Sequence, residues 1–245
     1  MEKKMDIYKI STLEELLKGN PYVGRGIVIG KTPDAKKAVA AYFIMGRSEN
    51  SRNRVFFEED GAVYTKPFDE SKVKDPSLII YCAVRSFENK LIVTNGDQTD
   101  TIFEGLKGGI RFADSLQSRS FEPDAPNYTP RISGLLTFDN GDFTYEMSIL
   151  KSLDAEGTAC SRYLFSYPST PGLDHFLHTY VTDGNPIPTF RGEPERMAVA
   201  QDIDAFTNQL WDNLNEANRI SLYVRYTDLE SGESESRLIN KNREA

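Results

Sequence analysis

The chain is poor in the residues that would make several functions easy to argue. It has two cysteines, Cys82 and Cys160, among 245 residues, too few for a disulfide framework. Its two histidines, His175 and His178, have no C-x-x-C pattern beside them, so no metal site is expected. No apolar run approaches the roughly 20 residues that a membrane helix requires, and no apolar leader opens the chain, so no membrane association and a cytoplasmic location are expected. Basic charge is also short: 29 Lys and Arg against 37 Asp and Glu give a net charge of −8. Binding to a nucleic-acid polymer is not expected, because it needs a broad basic footprint. A locally basic pocket inside an acidic shell remains compatible with this balance.

What is present is a substantial apolar complement, 39% of residues with 14 Phe and 12 Tyr, enough to build a real core. Residues 22–30 (YVGRGIVIG) and 38–45 read as two antiparallel strands joined by a turn at Pro33. The second strand runs into residues 46–54, GRSENSRNR, which place Arg47, Arg52 and Arg54 close together. Guanidiniums delivered by a strand end form a candidate anion site, since their planar donor fork matches phosphate and carboxylate. A solvated charged loop is the alternative.

Further strands are expected at 55–57, 61–65, 78–84, 91–94, 131–138, 143–150, 159–167 and 220–226. Residues 78–84 (LIIYCAV) read as buried on both faces. Asn140-Gly141 signals a tight hairpin. Helices are expected from residue 98 to Gly108, at 112–117, and as a long amphipathic element over 194–217. The segments 121–130 and 168–192 are rich in proline and read as loops. Blocks of antiparallel strands separated by helices predict an α+β fold in which two sheets pack face to face with helices outside. Residues 1–20 read as an N-terminal extension, 21–227 as one domain and 228–245 as an exposed charged tail.

Polar stretches fall at several predicted strand ends: 47–54, 81–85, 95–100 and 122–131. Tyr81 would need a partner for its hydroxyl inside a buried strand. Asp97 and Asp100, at the start of the predicted helix, are expected as caps. Cys82 has no histidine near it in sequence to activate it and reads as an inert buried thiol.

Taken in order, YVGRGIVIG, AYFIMGRSENSRNRVF, TNGDQTDTI and PNYTPRISG resemble the archaeal-type inosine monophosphate (IMP) cyclohydrolase family and its bacterial relatives. The resemblance is densest over 22–134 and continues thinly in FRGEPERMA at 190–198. It implies a four-layer α-β-β-α sandwich like that of the N-terminal-nucleophile hydrolases, without their nucleophile, since no Ser, Thr or Cys opens the strand at Tyr22. It implies closure of the purine ring of 5-formamidoimidazole-4-carboxamide ribonucleotide (FAICAR) to IMP, with no cofactor and no metal, in a homo-oligomer. Carried onto this chain, it makes Arg54, Tyr81 and Glu122 the catalytic candidates: Arg54 at the formyl oxygen, Tyr81 as proton donor or relay, Glu122 as base. Arg25 and Arg47 become candidates for the phosphate. Asn95, Gly96, Thr99 and Arg131 would line the nucleotide or hold the loop around it. A C–N hydrolase acting on a related ribonucleotide, or a nucleotide-binding protein without chemistry, are the alternatives.

Overall fold

The computed structural model describes residues 6–73 and 79–242. Two antiparallel sheets organise the α+β fold. The first has six strands in the order β11-β10-β1-β2-β12-β13, with β1 Arg25–Lys31, β2 Lys37–Met45, β10 Asp174–His178, β11 Glu195–Met197, β12 Arg219–Asp228 and β13 Ser234–Asn240. The second has seven in sequence order: β3 Val55–Glu59, β4 Ala62–Lys66, β5 Tyr81–Phe87, β6 Lys90–Thr94, β7 Arg131–Asp139, β8 Asp142–Ser152 and β9 Cys160–Pro168.

The near-continuous apolar run of β2 has a direct cause. Successive side chains of a strand point to opposite faces, and both faces of the first sheet are covered. Ala38, Ala40, Tyr42 and Ile44 join a core with Ala83, Leu136 and Met147 of the second sheet. Val39, Ala41, Phe43 and Met45 pack on the other side against helices α1 (Leu13–Leu17) and α5 (Ile203–Asn213), through Leu13, Leu17, Phe206 and Leu210. The outer face of the second sheet is covered in turn: Ile92, Leu135 and Leu150 meet Ile102 of α3 (Gln98–Lys107) and Phe112 of α4 (Phe112–Ser115).

Several expectations are corrected. The arginine stretch 46–54 contains a helical turn, α2 (Glu49–Arg52), closed by a reciprocal Ser48–Ser51 capping box. The proline-rich segment 168–192 contains β10, which is hydrogen-bonded between β11 and β1 in the first sheet. The helix expected over 194–217 is confined to Ile203–Asn213, and its first part supplies β11. The expected charged tail carries β13, which pairs along β12 from Ser221↔Asn240 to Thr227↔Ser234. An edge strand needs only one partner and one covered face, so its sequence stays polar enough to resemble a solvated tail. At its start the run 78–84 is less buried than expected: Ile80 is 51% exposed, and Leu78 lies outside the described residues.

Candidate functional site

The start of β1, the segment after β2 and the loop over 121–130 converge at one end of the two sheets. They meet around a cavity of ≈ 280 Å³ whose wall includes Arg25, Arg47, Arg54, Glu122, Asp124 and Tyr180. Tyr81, at the start of β5, is buried outside that wall but close enough to feel the charges of Arg54, Arg25 and Glu122. A hollow of ≈ 310 Å³ lies elsewhere, around residues 86–91, 138–142 and 225–232. The smaller cavity is the stronger site because buried charges meet there with donors unfilled. Arg25 is 6% exposed, Arg54 3% and Glu122 4%. The Nε of Arg25 and the Nε and Nη1 of Arg54 are buried without a hydrogen-bond partner. Buried N–H donors are costly to leave unpaired, so this arrangement points to a ligand that fills them.

The electrostatics follow from that crowding. Burial, and then the like charge of Arg25, hold the Arg54 guanidinium below its ordinary value. Burial also pulls Arg25 down, but Glu122, Tyr22, Tyr81 and Tyr180 outweigh it and leave Arg25 above its ordinary value. Burial raises Glu122 above the usual carboxylate range, against the opposing pull of Arg25 and Arg131. Tyr81 is raised by burial although Arg54 and Arg25 act against it, so its phenol is protonated at neutral pH. Its hydroxyl lies 2.7 Å from that of Tyr42, directly across the gap between the sheets.

Arg47 stands at the more open rim. It donates to the Asp183 carboxylate and, at 2.8 Å, to the Gly184 carbonyl, and lies over the Tyr22 ring at 5.3 Å. Arg52 ties the turn together by donating to the carbonyl of Gly46 and to Asn218.

Asn95, Gly96, Thr99 and Arg131 are gathered beside the cavity, outside its wall. Asn95 Oδ1 accepts from Ile132 N at 2.9 Å and Gln98 Nε2 at 3.0 Å, and its Nδ2 donates to the Pro130 carbonyl. The Thr99 and Thr94 hydroxyls are 2.7 Å apart. Arg131 Nη1 donates to Gln98 Oε1 at 2.8 Å and pairs with Asp97 Oδ1 at 2.7 Å. Gly96 leaves room for this: a Cβ there would lie 2.4 Å from Arg131 Nη1. Their polar side chains are satisfied by Thr94, Asp97, Gln98, Pro130 and Ile132. Arg131 still acts on the site through its charge, which favours ionised Glu122.

The acidic caps are corrected. Asp97 makes no side-chain cap; its carboxylate bridges Arg119 and Arg131. Asp100 pairs with Arg85 at 3.0 Å. Cys82 is buried and its thiol is pushed up to about 11 by burial, as fits an inert group. His175 and His178 are buried in β10; Nδ1 of His175 is 2.6 Å from the Tyr145 hydroxyl, and Nδ1 of His178 donates to the Tyr180 carbonyl. Both are lowered to about 4 by burial, so they are neutral imidazoles at physiological pH. Among the described residues no group of three or more His, Cys, Asp or Glu is arranged to hold a metal, and no helix is long and apolar enough to cross a membrane.

The pattern of the family described as "IMP cyclohydrolase-like protein" matches residues 22–232. The chain belongs to that family. The IMP cyclohydrolase of Methanopyrus kandleri is 32% identical over 163 residues, which cover 62% of this chain and 81% of the relative. That of Methanococcus aeolicus is 29% identical over 163 residues, 65% of this chain and 74% of the relative. That of Haloquadratum walsbyi is 28% identical over 158 residues, covering 62% and 76%. The cyclohydrolase-family match spans every residue of the cavity wall, from Tyr22 to Ile187, and leaves out α1 and β13.

Among the wall residues that the sequence did not single out individually are Asp124, Thr129 and Tyr180. The first two belong to a loop whose polar residues carry no periodic signal. Tyr180 lies in a segment that its prolines made look irregular, and only the pairing of β10 with β1 brings it to the site.

Proposed function

We propose that this protein is a cytoplasmic IMP cyclohydrolase of purine biosynthesis, converting FAICAR to IMP with loss of water. The observation that carries the proposal is the pair of buried arginines with unfilled donors, facing a buried carboxylate, in a chain of the cyclohydrolase family. In the reaction the carboxamide nitrogen attacks the formyl carbon and a C–N bond forms. The formyl oxygen then leaves as water, taking one carboxamide proton and the formamide N–H proton. An amide nitrogen is a weak nucleophile, so the site must align it and remove a proton. The tetrahedral intermediate carries negative charge on oxygen and needs fixed donors.

Arg54 is assigned to that oxygen, since its Nε and Nη1 are otherwise unpaired. Tyr81, protonated at neutral pH, is assigned the proton that the departing oxygen takes up. Glu122 is assigned as base on the carboxamide, directly or through water. The electrostatic pairing of Arg25 with Glu122 supports a changed role for Arg25: it keeps Glu122 ionised, because a phosphate beside that carboxylate would be repelled. Arg47, at the open rim, is then the better candidate for the 5′-phosphate, where it would exchange Asp183 for the ligand. The order helix, sheet, sheet, helix seen in the core clusters supports the finer fold reading, a four-layer α-β-β-α sandwich like that of the N-terminal-nucleophile hydrolases. The family also supports a homo-oligomer, which light scattering would test.

The purified chain should close FAICAR to IMP, followed by ultraviolet absorbance, with Arg54→Ala and Tyr81→Phe folded and each strongly impaired. Release of a formyl or amino group would indicate a C–N hydrolase instead, and tight IMP binding without turnover a non-catalytic binder.

A further inference from the structure

One chain of hydrogen bonds in the cavity wall has a direction that chemistry fixes. The Asp124 carboxylate accepts from Thr129 twice: Oδ1 from the backbone N–H at 2.6 Å, and Oδ2 from the hydroxyl at 2.5 Å. The Thr129 hydroxyl is also 2.6 Å from the hydroxyl of Tyr180. A threonine hydroxyl has one proton, and an ionised carboxylate can only accept. The Thr129 proton is therefore committed to Asp124. The bond to Tyr180 then has a single arrangement, with the Tyr180 hydroxyl donating to Thr129 Oγ1.

Tyr180 is held firmly in this orientation. Its ring is stacked on that of Tyr22 at 5.8 Å, and its backbone N–H donates to the Val23 carbonyl at 3.2 Å. Gly24, at φ +79°, leaves room for the ring: a Cβ there would approach Tyr180 Cδ2 to 2.6 Å. With its proton directed at Thr129, the phenolic oxygen has only lone pairs left for the cavity.

We propose that Tyr180 selects for a hydrogen-bond donor on the bound nucleotide, an N–H or O–H, and that Asp124 and Thr129 are positioning residues that fix its hydroxyl as an acceptor. The inference rests on the nucleotide reading of the site and adds a determinant of specificity to it. Acceptors and donors are then divided around the wall: Arg54 and Arg25 offer only N–H groups, while Tyr180 offers only lone pairs.

Asp124→Asn tests the direction without changing shape. The Thr129 N–H still requires an acceptor at the Oδ1 position, so the new amide nitrogen takes the place of Oδ2 and donates to Thr129 Oγ1. The Thr129 proton must then turn to Tyr180, and the Tyr180 proton turns into the cavity. The acceptor becomes a donor. With IMP as the probe in calorimetric titration, Tyr180→Phe should weaken binding roughly 3- to 10-fold, the loss of one hydrogen bond. Asp124→Asn should weaken it more, by roughly 10- to 100-fold, because two donors then face each other. The double variant should bind no worse than Tyr180→Phe alone, and Thr129→Ser should bind like the wild type. Loss of the Asp124 charge acting by itself predicts the opposite sign, tighter binding of an anionic nucleotide. Thermal unfolding of each variant checks that it is folded.

Unchanged or tighter IMP binding by Asp124→Asn, or additive losses in the double variant, would overturn the inference while leaving the nucleotide reading intact. Failure of the wild-type protein to bind IMP would overturn both.

Discussion

Replacing Glu122 by Gln separates the two tasks assigned to that carboxylate, and the structure sets the size of each. Glu122 is 4% exposed and is the leading electrostatic support of Arg25. Its removal leaves two buried guanidiniums, Arg25 and Arg54, repelling one another. Breaking a buried ion pair by deleting one partner costs about 3–5 kcal/mol. Glu122 and Arg25 act on each other through their charges without a direct ion-pair contact, so the cost lies at or below the lower end, at most about 3 kcal/mol. For a chain of this size that corresponds to a fall of at most roughly 6–12 °C in the unfolding midpoint. The variant should also bind inorganic phosphate more tightly than the wild type, since an anion would replace the missing charge. Saturating IMP, at about 100 times its Kd, contributes about 2.7 kcal/mol and should restore most of the lost midpoint. Turnover should nevertheless fall roughly 10²- to 10⁴-fold, the usual contribution of a general base. Differential scanning calorimetry with and without IMP, together with the ring-closure assay, reads all of these quantities. Turnover within about threefold of wild type would refute the assignment of Glu122 as base, because ordinary general-base contributions are far larger. An unchanged midpoint would refute its role as support of the arginines.

The acid limb of the wild-type pH–rate profile should lie above the range of a solvated carboxylate: burial raises Glu122, and the base form is lost as pH falls through that raised value. Arg54→Met should lose turnover by roughly 10²- to 10³-fold, as for an oxyanion donor. It should unfold at a higher temperature than wild type, because it removes a buried charge with unmet donors from beside Arg25; calorimetry checks the sign. Gly96→Ala would place a Cβ 2.4 Å from Arg131 Nη1, and should lower stability by roughly 1–3 kcal/mol in urea unfolding, with a smaller loss of turnover. Asp174 is buried and pushed up to about 8 by burial, against hydrogen bonds from the backbone of Val199 and Lys31. It binds its proton more tightly folded than unfolded. The stability it contributes is therefore complete below about 3.8 and is lost as pH rises through about 8. The stability of Asp174→Asn relative to wild type should rise by roughly 4 kcal/mol between pH 5 and pH 9, measured by urea unfolding.

Much of the frame was legible because its signals are local. The continuous apolar run of β2, the Asn140-Gly141 turn with both residues at positive φ, and the arrest of α3 at Gly108 depend on neighbours in the sequence. β10 was hidden for the opposite reason. Asp174, His175 and His178 look like loop residues, and their polar groups are satisfied only in the folded chain: Asp174 by the distant Val199 N–H, His175 by the distant Tyr145 hydroxyl, and His178 by the Tyr180 carbonyl two residues on. The candidate site divides in the same way. Arg25, Arg47, Arg54, Tyr81 and Glu122 carried motif signals and are brought together at one end of the sheets. Asp97 and Asp100 carried a capping signal that lost to arginines supplied by other segments.

The sequence by itself determined the class of fold, the family and the residue types available for chemistry, because periodicity, turn residues and motif order are properties of the chain. The tertiary structure decided how those residues share their charges and protons. Burial left Arg54 with unfilled donors, set Arg25 against Glu122, satisfied Asn95, Thr99 and Arg131 through Ile132, Thr94 and Gln98, and gave the Tyr180 hydroxyl its direction. Those properties depend on desolvation and on hydrogen-bond partners tens of residues away, so they exist only once the two sheets have closed on each other.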